Sequence, residues 1–322
     1  MDLGAEVDRV ATETSFSGVV RLDRDGVTVF ERAYSMAHRG LGVPNTVDTR
    51  FAIASGSKAL TALSVMALID DGTLELTTTA RSVLGSDLPL IDDAVTVEQL
   101  LAHRSGIGDY YDEENDPALT VPAQDLVSTE DFLPILDGFP TMFPPGTDFR
   151  YNNGGFVVLA LIAERASGIP FHDLVAQRVC VPAGLADTAY LRSDEPDGRM
   201  ALGYLESDGL RTNVFHLPVR GSGDGGVYTT LADWHALWRA FFAGKIVSPR
   251  LVAEMVRPRS VYKSTHRYGL GFWLHKSSDT VFLEGSDIGV SFRSVCDPAG
   301  AFVHTVIGNT SDGAWPIARL FL

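Results

Sequence analysis

Two short segments of this chain carry side chains that could work together on a carbonyl group. In "FAIASGSKALTALSVMALIDDG" (51–72), Ser55 and Lys58 stand three residues apart at the head of a long apolar run. Positions i and i+3 share a helix face, so the hydroxyl and the amine would point the same way. A helix start also offers free N–H groups and the positive end of the helix dipole, which favour an alkoxide or an oxyanion nearby. A lysine one turn on can take the serine proton or hold the developing charge. The same serine would equally serve as a plain helix cap. A second Ser-x-x-Lys, Ser260 to Lys263 in "RPRSVYK", opens no long apolar helix.

The other segment, "FRYNNGGFVVLAL", sets Tyr151 and Asn153 directly before another apolar run and holds the one Tyr-x-Asn in the sequence. A neighbouring lysine cation favours the phenolate form of a tyrosine. Tyr151 could then move a proton between Ser55 and a leaving group, or simply pack at a helix start. Asn153 has amide groups for a substrate amide or for Lys58.

These residues need rigid elements beneath them. Helical patterns run over 55–71, 154–168 and 231–244, each ending at or next to a glycine suited to a left-handed cap. Alternating residues on either side of Asp25-Gly26 indicate a β-hairpin near the start. Near the end, "RYGLGFWLH", "TVFLEG", "GVSFRSVCD" and "AFVHTVIGN" read as four strands. Strands from both termini with helices between them indicate an α+β layout, one sheet built from the two ends of the chain. We therefore expect a single domain over 1–322, with a sheet lobe of about 1–54 and 260–322 and a mostly helical lobe of about 55–259.

Composition narrows the function. With 41 acidic against 26 basic residues, the net charge of −15 repels phosphate backbones and anionic lipid, so neither nucleic acid nor a membrane surface is expected as a partner. The start, "MDLGAEVDRV", has no basic and apolar leader pattern, and the reading is cytoplasmic. Cys180 and Cys296 are read as buried apolar residues, and the eight histidines show no ligand spacing, so neither a metal nor another cofactor is expected. His235 and its aromatic neighbours fit a core face.

Ser55-x-x-Lys58 followed by Tyr151-x-Asn153 resembles the serine β-lactamase and penicillin-binding superfamily, which carries the Ser-x-x-Lys signature. The tyrosine motif, with "VTVEQLLAHRSGIGDY" (95–110) and "GDGGVYTTLADWHALWRAFFAGKIVS" (223–248), is similar to the class C β-lactamase branch, with its D-alanyl-D-alanine peptidases and esterases. The resemblance spans roughly residues 16–309. It implies a β-lactamase/transpeptidase-like fold and an acyl-serine mechanism. Ser55 would be the nucleophile, Lys58 its activating partner, Tyr151 the acid/base and Asn153 a substrate contact. His103 would fix a loop. The segment 106–125 would overhang the site and bring Tyr110, Tyr111 and Asp112 to the substrate.

One motif departs from the family. Where it carries Lys-Thr-Gly or His-x-Gly, this chain has Leu283-Glu284-Gly285. A lost charged partner for a substrate carboxylate costs about 1.5–3 kcal/mol, so efficient β-lactam or D-alanyl-D-alanine cleavage is not expected. Glu284 could face the site or turn away, since strand residues alternate. Gly285 would leave room for substrate, and the Ser286 N–H would join that of Ser55 in an oxyanion hole. The resulting expectation is a serine hydrolase for small esters or amides. A slowly acylating penicillin-binding-type receptor and an acyltransferase using the same nucleophile are the alternatives, and the oligomeric state is left open.

Overall fold

Residues 3–111, 120–262 and 265–321 are described by the computed structural model of the protein. The N-terminal stretch supplies strands β1 (Gly18–Arg24) and β2 (Val27–Tyr34). The C-terminal stretch supplies β3 (Ser260–Tyr262), β4 (His266–Tyr268), β5 (Trp273–His275), β6 (Val281–Asp287), β7 (Val290–Cys296) and β8 (Phe302–Gly308). Among the described residues these form one antiparallel sheet in the order β2-β1-β8-β7-β6-β5-β4-β3. The two ends of the chain meet where β1 pairs with β8, Val19 opposite Ile307 and Val20 opposite Val306. Asp25 (φ 49°) and Gly26 (φ 77°) close the β1–β2 hairpin, the positive φ pair that a two-residue turn between twisted strands requires.

Five helices matter to the site: α1 (Leu3–Glu13), α2 (Lys58–Asp70), α3 (Asn153–Ser167), α4 (Leu231–Phe242) and α5 (Ala314–Ala318). The pleat of the sheet feeds two cores. Val20 and Val306 pack with Val7 and Val10 of α1 and Ile317 of α5 on one face. Val19, Leu283, Phe292 and Ile307 face the other way, into the main core with α2, α3 and α4. Helix α2 is buried without a break from Lys58 to Leu68, which is why its sequence is apolar all round rather than striped. The helix ends follow local chemistry. The Asn152 side chain accepts from Gly155 N–H at the start of α3, and Gly168 ends it in the left-handed conformation.

Three features differ from the sequence expectation. Ser55 lies in a 3-10 turn, Ala54–Ser57, and the α-helix proper begins at Lys58. The tighter turn lets the short strand Phe51–Ala52 run straight into the helix. The run 267–275 is two strands, β4 and β5, because Gly269 N–H bonds to Phe272 O (2.9 Å) and the chain reverses. Helix α1 was not read from sequence. Ser260 lies on strand β3, and Lys263 falls outside the described residues. Both cysteines are buried and free. His235 is fully buried in α4 with Nδ1 2.8 Å from Asp23 Oδ2, tying that helix to β1. No single described helix is long and apolar enough to cross a membrane.

Candidate active site

The turn that carries Ser55 is held under strain. Ala54 has φ 45°, a left-handed conformation that costs a residue with a Cβ about 1–2 kcal/mol. Surrounding bonds fix it: Ile53 N–H to Val227 O at 3.1 Å, Gly56 N–H to Ile53 O at 2.9 Å, and Val227 N–H to Ser57 Oγ at 3.0 Å. Backbone strain of this kind persists where the structure around it over-determines the conformation.

Lys58 sits directly beneath, 2% exposed. Its Nζ lies 3.0 Å from Ser55 Oγ, 2.7 Å from Asn153 Oδ1 and 2.8 Å from the carbonyl oxygen of Asp224. Three acceptors at hydrogen-bond distance satisfy a buried lysine that would otherwise be very costly to desolvate. The glycine-rich stretch 221–226 brings the Asp224 carbonyl in. At Gly223 a Cβ would stand 2.0 Å from Phe156 O, so only glycine lets this backbone thread against α3. Thr61 Oγ1 donates to the Gly223 carbonyl at 2.6 Å and pins the same stretch to α2.

Tyr151 and Asn153 arrive from the start of α3. Asn153 bonds Lys58, as above. The Tyr151 ring centroid is 4.9 Å from Lys58 Nζ, and the ring is stacked on Trp273 (centroids 6.0 Å apart, 11° between planes) and packed on His103 at 4.4 Å. Lys58 therefore touches both halves of the sequence-predicted set. His103 has the loop-fixing place expected of it: Nδ1 accepts from Asn152 N–H (3.1 Å) and its carbonyl from Arg150 N–H (3.0 Å). Burial holds its pKa well below the usual histidine value, with the Lys58 charge adding to the effect, so it is a neutral acceptor.

Strand β6 forms the opposite wall. A Cβ on Gly285 would meet Ile53 O at 2.1 Å and Gly56 N at 3.0 Å, so glycine here allows the strand to lie against the Ser55 turn. Ser286 follows at the edge of the cavity. Glu284 turns away: it is paired across the ladder with Arg293, and their side chains form an ion pair beside Phe282. Leu283, on the Gly285 face, is 3% exposed and part of the main core. The missing third-motif cation is thus replaced by a buried leucine, and Glu284 adds no repulsion to the site.

A cavity of about 110 Å³ opens between these walls, lined by Ser55, Asn153, Tyr110, Asp224, Ser286 and Asp287 among others. Apolar surface comes from Phe132, Leu191, Val219 and Val290. Among the described lining residues there is neither lysine nor arginine, while Asp224 and Asp287 are acidic. Tyr110 Oη donates to Asp224 Oδ2 at 2.6 Å. Asp109 accepts from Asn153 N–H (2.7 Å) and Gly154 N–H (2.8 Å), and burial pushes its carboxyl up to about 6. Burial likewise raises the Asp224 carboxyl, with Lys58 and Tyr110 opposing it. Tyr111 lines the cavity as well, and Asp112 falls outside the described residues.

The profile of the beta-lactamase family matches residues 6–317. The chain belongs to the beta-lactamase family. Within it, esterase EstB of Burkholderia gladioli is 32% identical over 84% of this chain and 77% of its own length. The putative penicillin-binding protein PbpX of Bacillus subtilis is 26% identical over 86% of this chain and 67% of its own length. The crystal structure of a penicillin-binding protein from Bacillus halodurans superposes with a TM-score of 0.90 at 32% identity, covering 98% of each chain. The penicillin-binding fold, a large antiparallel sheet flanked by helices, is therefore shown for this beta-lactamase-family protein.

Of the six residues named from sequence, Ser55, Asn153 and Ser286 line the cavity. Lys58 lies below it, Tyr151 stands half-buried beside Lys58, and Gly285 packs the wall. Sequence reading missed Asp109, Asp224 and Trp273. The first two lie inside quoted phrases, "GIGDY" and "GDGG", but a single aspartate in a loop carries no spacing signal; Trp273 reads as one more strand aromatic.

Proposed function

We propose that this protein is a serine hydrolase that cleaves small neutral esters or amides through an acyl-Ser55 intermediate. One observation carries the reading: Lys58 Nζ lies 3.0 Å from Ser55 Oγ while its other two contacts, Asn153 Oδ1 and the Asp224 carbonyl, can only accept. With two of its hydrogen-bonding positions committed to those oxygens, the Lys58 nitrogen directs the third at the Ser55 hydroxyl, where a proton can be exchanged between them.

Ser55 Oγ then attacks the substrate carbonyl carbon, and its proton passes to Lys58, with Tyr151 as partner in the transfer. The N–H groups of Ser55 and Ser286 receive the oxyanion. The tetrahedral species collapses as the leaving oxygen or nitrogen takes up the proton and departs. Water repeats the sequence on the acyl-enzyme, releasing the acid and restoring the Ser55 hydroxyl.

The wall supports neutral substrates. Leu283 takes the place of the carboxylate-binding cation, and Asp224 and Asp287 repel negative charge. The kinship with an esterase supports the same choice. The test is turnover of p-nitrophenyl esters together with intact-mass detection of a fluorophosphonate adduct on Ser55, with Ser55→Ala as control. A burst of p-nitrophenol and one adduct per chain are expected. No turnover and no adduct on the folded protein would overturn the reading.

A further inference from the structure

Both acceptors that orient the Lys58 amine are themselves held by one short stretch, residues 109–111. The Asp109 carboxylate takes the Asn153 and Gly154 N–H groups at 2.7 and 2.8 Å, and the Tyr111 carbonyl accepts from Asn153 Nδ2 at 3.3 Å. Tyr110 Oη grips the Asp224 carboxylate at 2.6 Å. The backbone of Asn153 and the side chain of Asp224 are thereby fixed, and each passes its position to Lys58 through the oxygen that Lys58 contacts.

We propose that Asp109 and Tyr110 form a positioning clip that aims the Lys58 amine at Ser55, so that the segment 109–111, whose Tyr110 and Tyr111 line the cavity, sets the activity of the base below it. The proposal rests on the acyl-serine reading and adds to it two residues that act through others. Asp109 works behind Asn153, and Tyr110 works through Asp224. A lysine on a flexible four-carbon stem has no fixed direction of its own. Removing either grip leaves Lys58 in place but lets Asn153 Oδ1 or the Asp224 carbonyl, two of its three acceptors, drift.

The clip depends on charge. A carboxylate accepts both N–H groups at the start of α3, where the dipole also favours a negative charge; a protonated carboxyl grips them less strongly. The titratable and charged groups around Asp109 are Lys58 from α2, Tyr110 beside it in the loop, Asp224 from the glycine-rich stretch, Asp287 from β6, which acts on Tyr110, and neutral His103 behind Asn152. With the Asp109 carboxyl raised to about 6 by burial, the clip loosens as the pH falls through that value and is whole above it.

The experiment compares wild type, Asp109→Asn and Tyr110→Phe on p-nitrophenyl butyrate from pH 5 to 8, with the rate of fluorophosphonate labelling of Ser55 read alongside. Asp109→Asn keeps the shape but can accept only one of the two N–H groups. Its kcat should fall about tenfold with KM little changed, and the decline of wild-type activity below pH 6 should vanish from its profile. Asp109→Glu restores the charge and should recover part of the rate. Tyr110→Phe, which removes one hydroxyl and keeps the ring, should slow labelling by about fivefold, and it keeps the test alive if Asp109→Asn fails to fold. Variants that match wild type in labelling, kcat and acid limb would overturn the clip. Wild type that neither turns over nor labels would instead overturn the acyl-serine reading on which it rests.

Discussion

Replacing Gly285 by alanine tests how closely the strand and the Ser55 turn must approach. The added Cβ would lie 2.1 Å from Ile53 O and 3.0 Å from Gly56 N. Carbon–oxygen contacts settle near 3.3 Å, so either β6 or the turn must retreat by about 1.2 Å. Neither can yield without loss. The turn is already strained at Ala54 and braced by Val227, and β6 is hydrogen-bonded to β7 along seven paired residues. A retreat of about 1 Å separates the Ser286 N–H from the Ser55 N–H; misplacement of that size costs about 100-fold in rate, and full loss of one oxyanion donor about 10²–10³-fold. The overpacking itself should cost about 1–3 kcal/mol of stability. The assay is kcat/KM on p-nitrophenyl butyrate, with urea unfolding to show that the variant is folded. Gly198→Ala, where nothing lies within 4 Å of the added Cβ, is the control and should match wild type. A folded Gly285→Ala within about threefold of wild type, far short of the loss expected from a displaced oxyanion donor, would refute the placement of the oxyanion hole between β6 and the turn.

Three further outcomes follow from the same structure. A neutral ester should be preferred over its twin bearing a carboxylate next to the acyl carbon by about tenfold or more, because Leu283 replaces the cation and the lining is acidic; equal kcat/KM values would show another cation at work. Burial depresses the pKa of His172 to about 4 and of His304 to about 3, and lowers those of His103 and His235 as well. Unfolded histidines bind protons below about pH 6.5 while His172, His304 and the strongly depressed His103 resist protonation, so stability should rise from pH 4.5 to 6.5 by about 1.4 kcal/mol per pH unit for each excess proton. The raised carboxyls of Asp109 and Asp224 act in the opposite sense but are outnumbered; urea midpoints that fall over this range would contradict the assignment. Leu63→Ala, at a position with no exposure in α2, should cost about 2–5 kcal/mol in the same unfolding assay.

The parts of this protein that were legible in sequence are those that local chemistry decides. The Asp25-Gly26 hairpin, the glycine-ended helices and the sheet built from both termini follow from turn geometry and hydrophobic period. The Ser55–Lys58 contact was legible because a helical spacing of three survives the change from α-helix to 3-10 turn. Illegible were the features that tertiary packing decides. The period of β6 does not say which face is inward, so the orientation of Glu284 needed its ladder partner Arg293. The reversal at Gly269 interrupts a run that still looks like one strand. Asp109 and Asp224 matter only because the fold brings a loop at 109–111 and a glycine-rich stretch at 221–226 to the same amine.

The site gathers local choices that would each be unfavourable alone: an alanine at φ 45°, a lysine at 2% exposure and a carboxylate raised by burial. Each is stabilised by its neighbours. Lys58 offsets the burial of Asp224, the Asp224 carbonyl and Asn153 satisfy Lys58, and the close approach of β6 at Gly285 holds the turn that strains Ala54. Such groups are coupled, so single substitutions will overstate each member's share. Asp109→Asn combined with Tyr110→Phe should therefore cost less in rate than the product of the two single losses, since once one acceptor of Lys58 drifts the other no longer fixes its direction. Fully multiplicative losses would mean that the two residues act on separate steps.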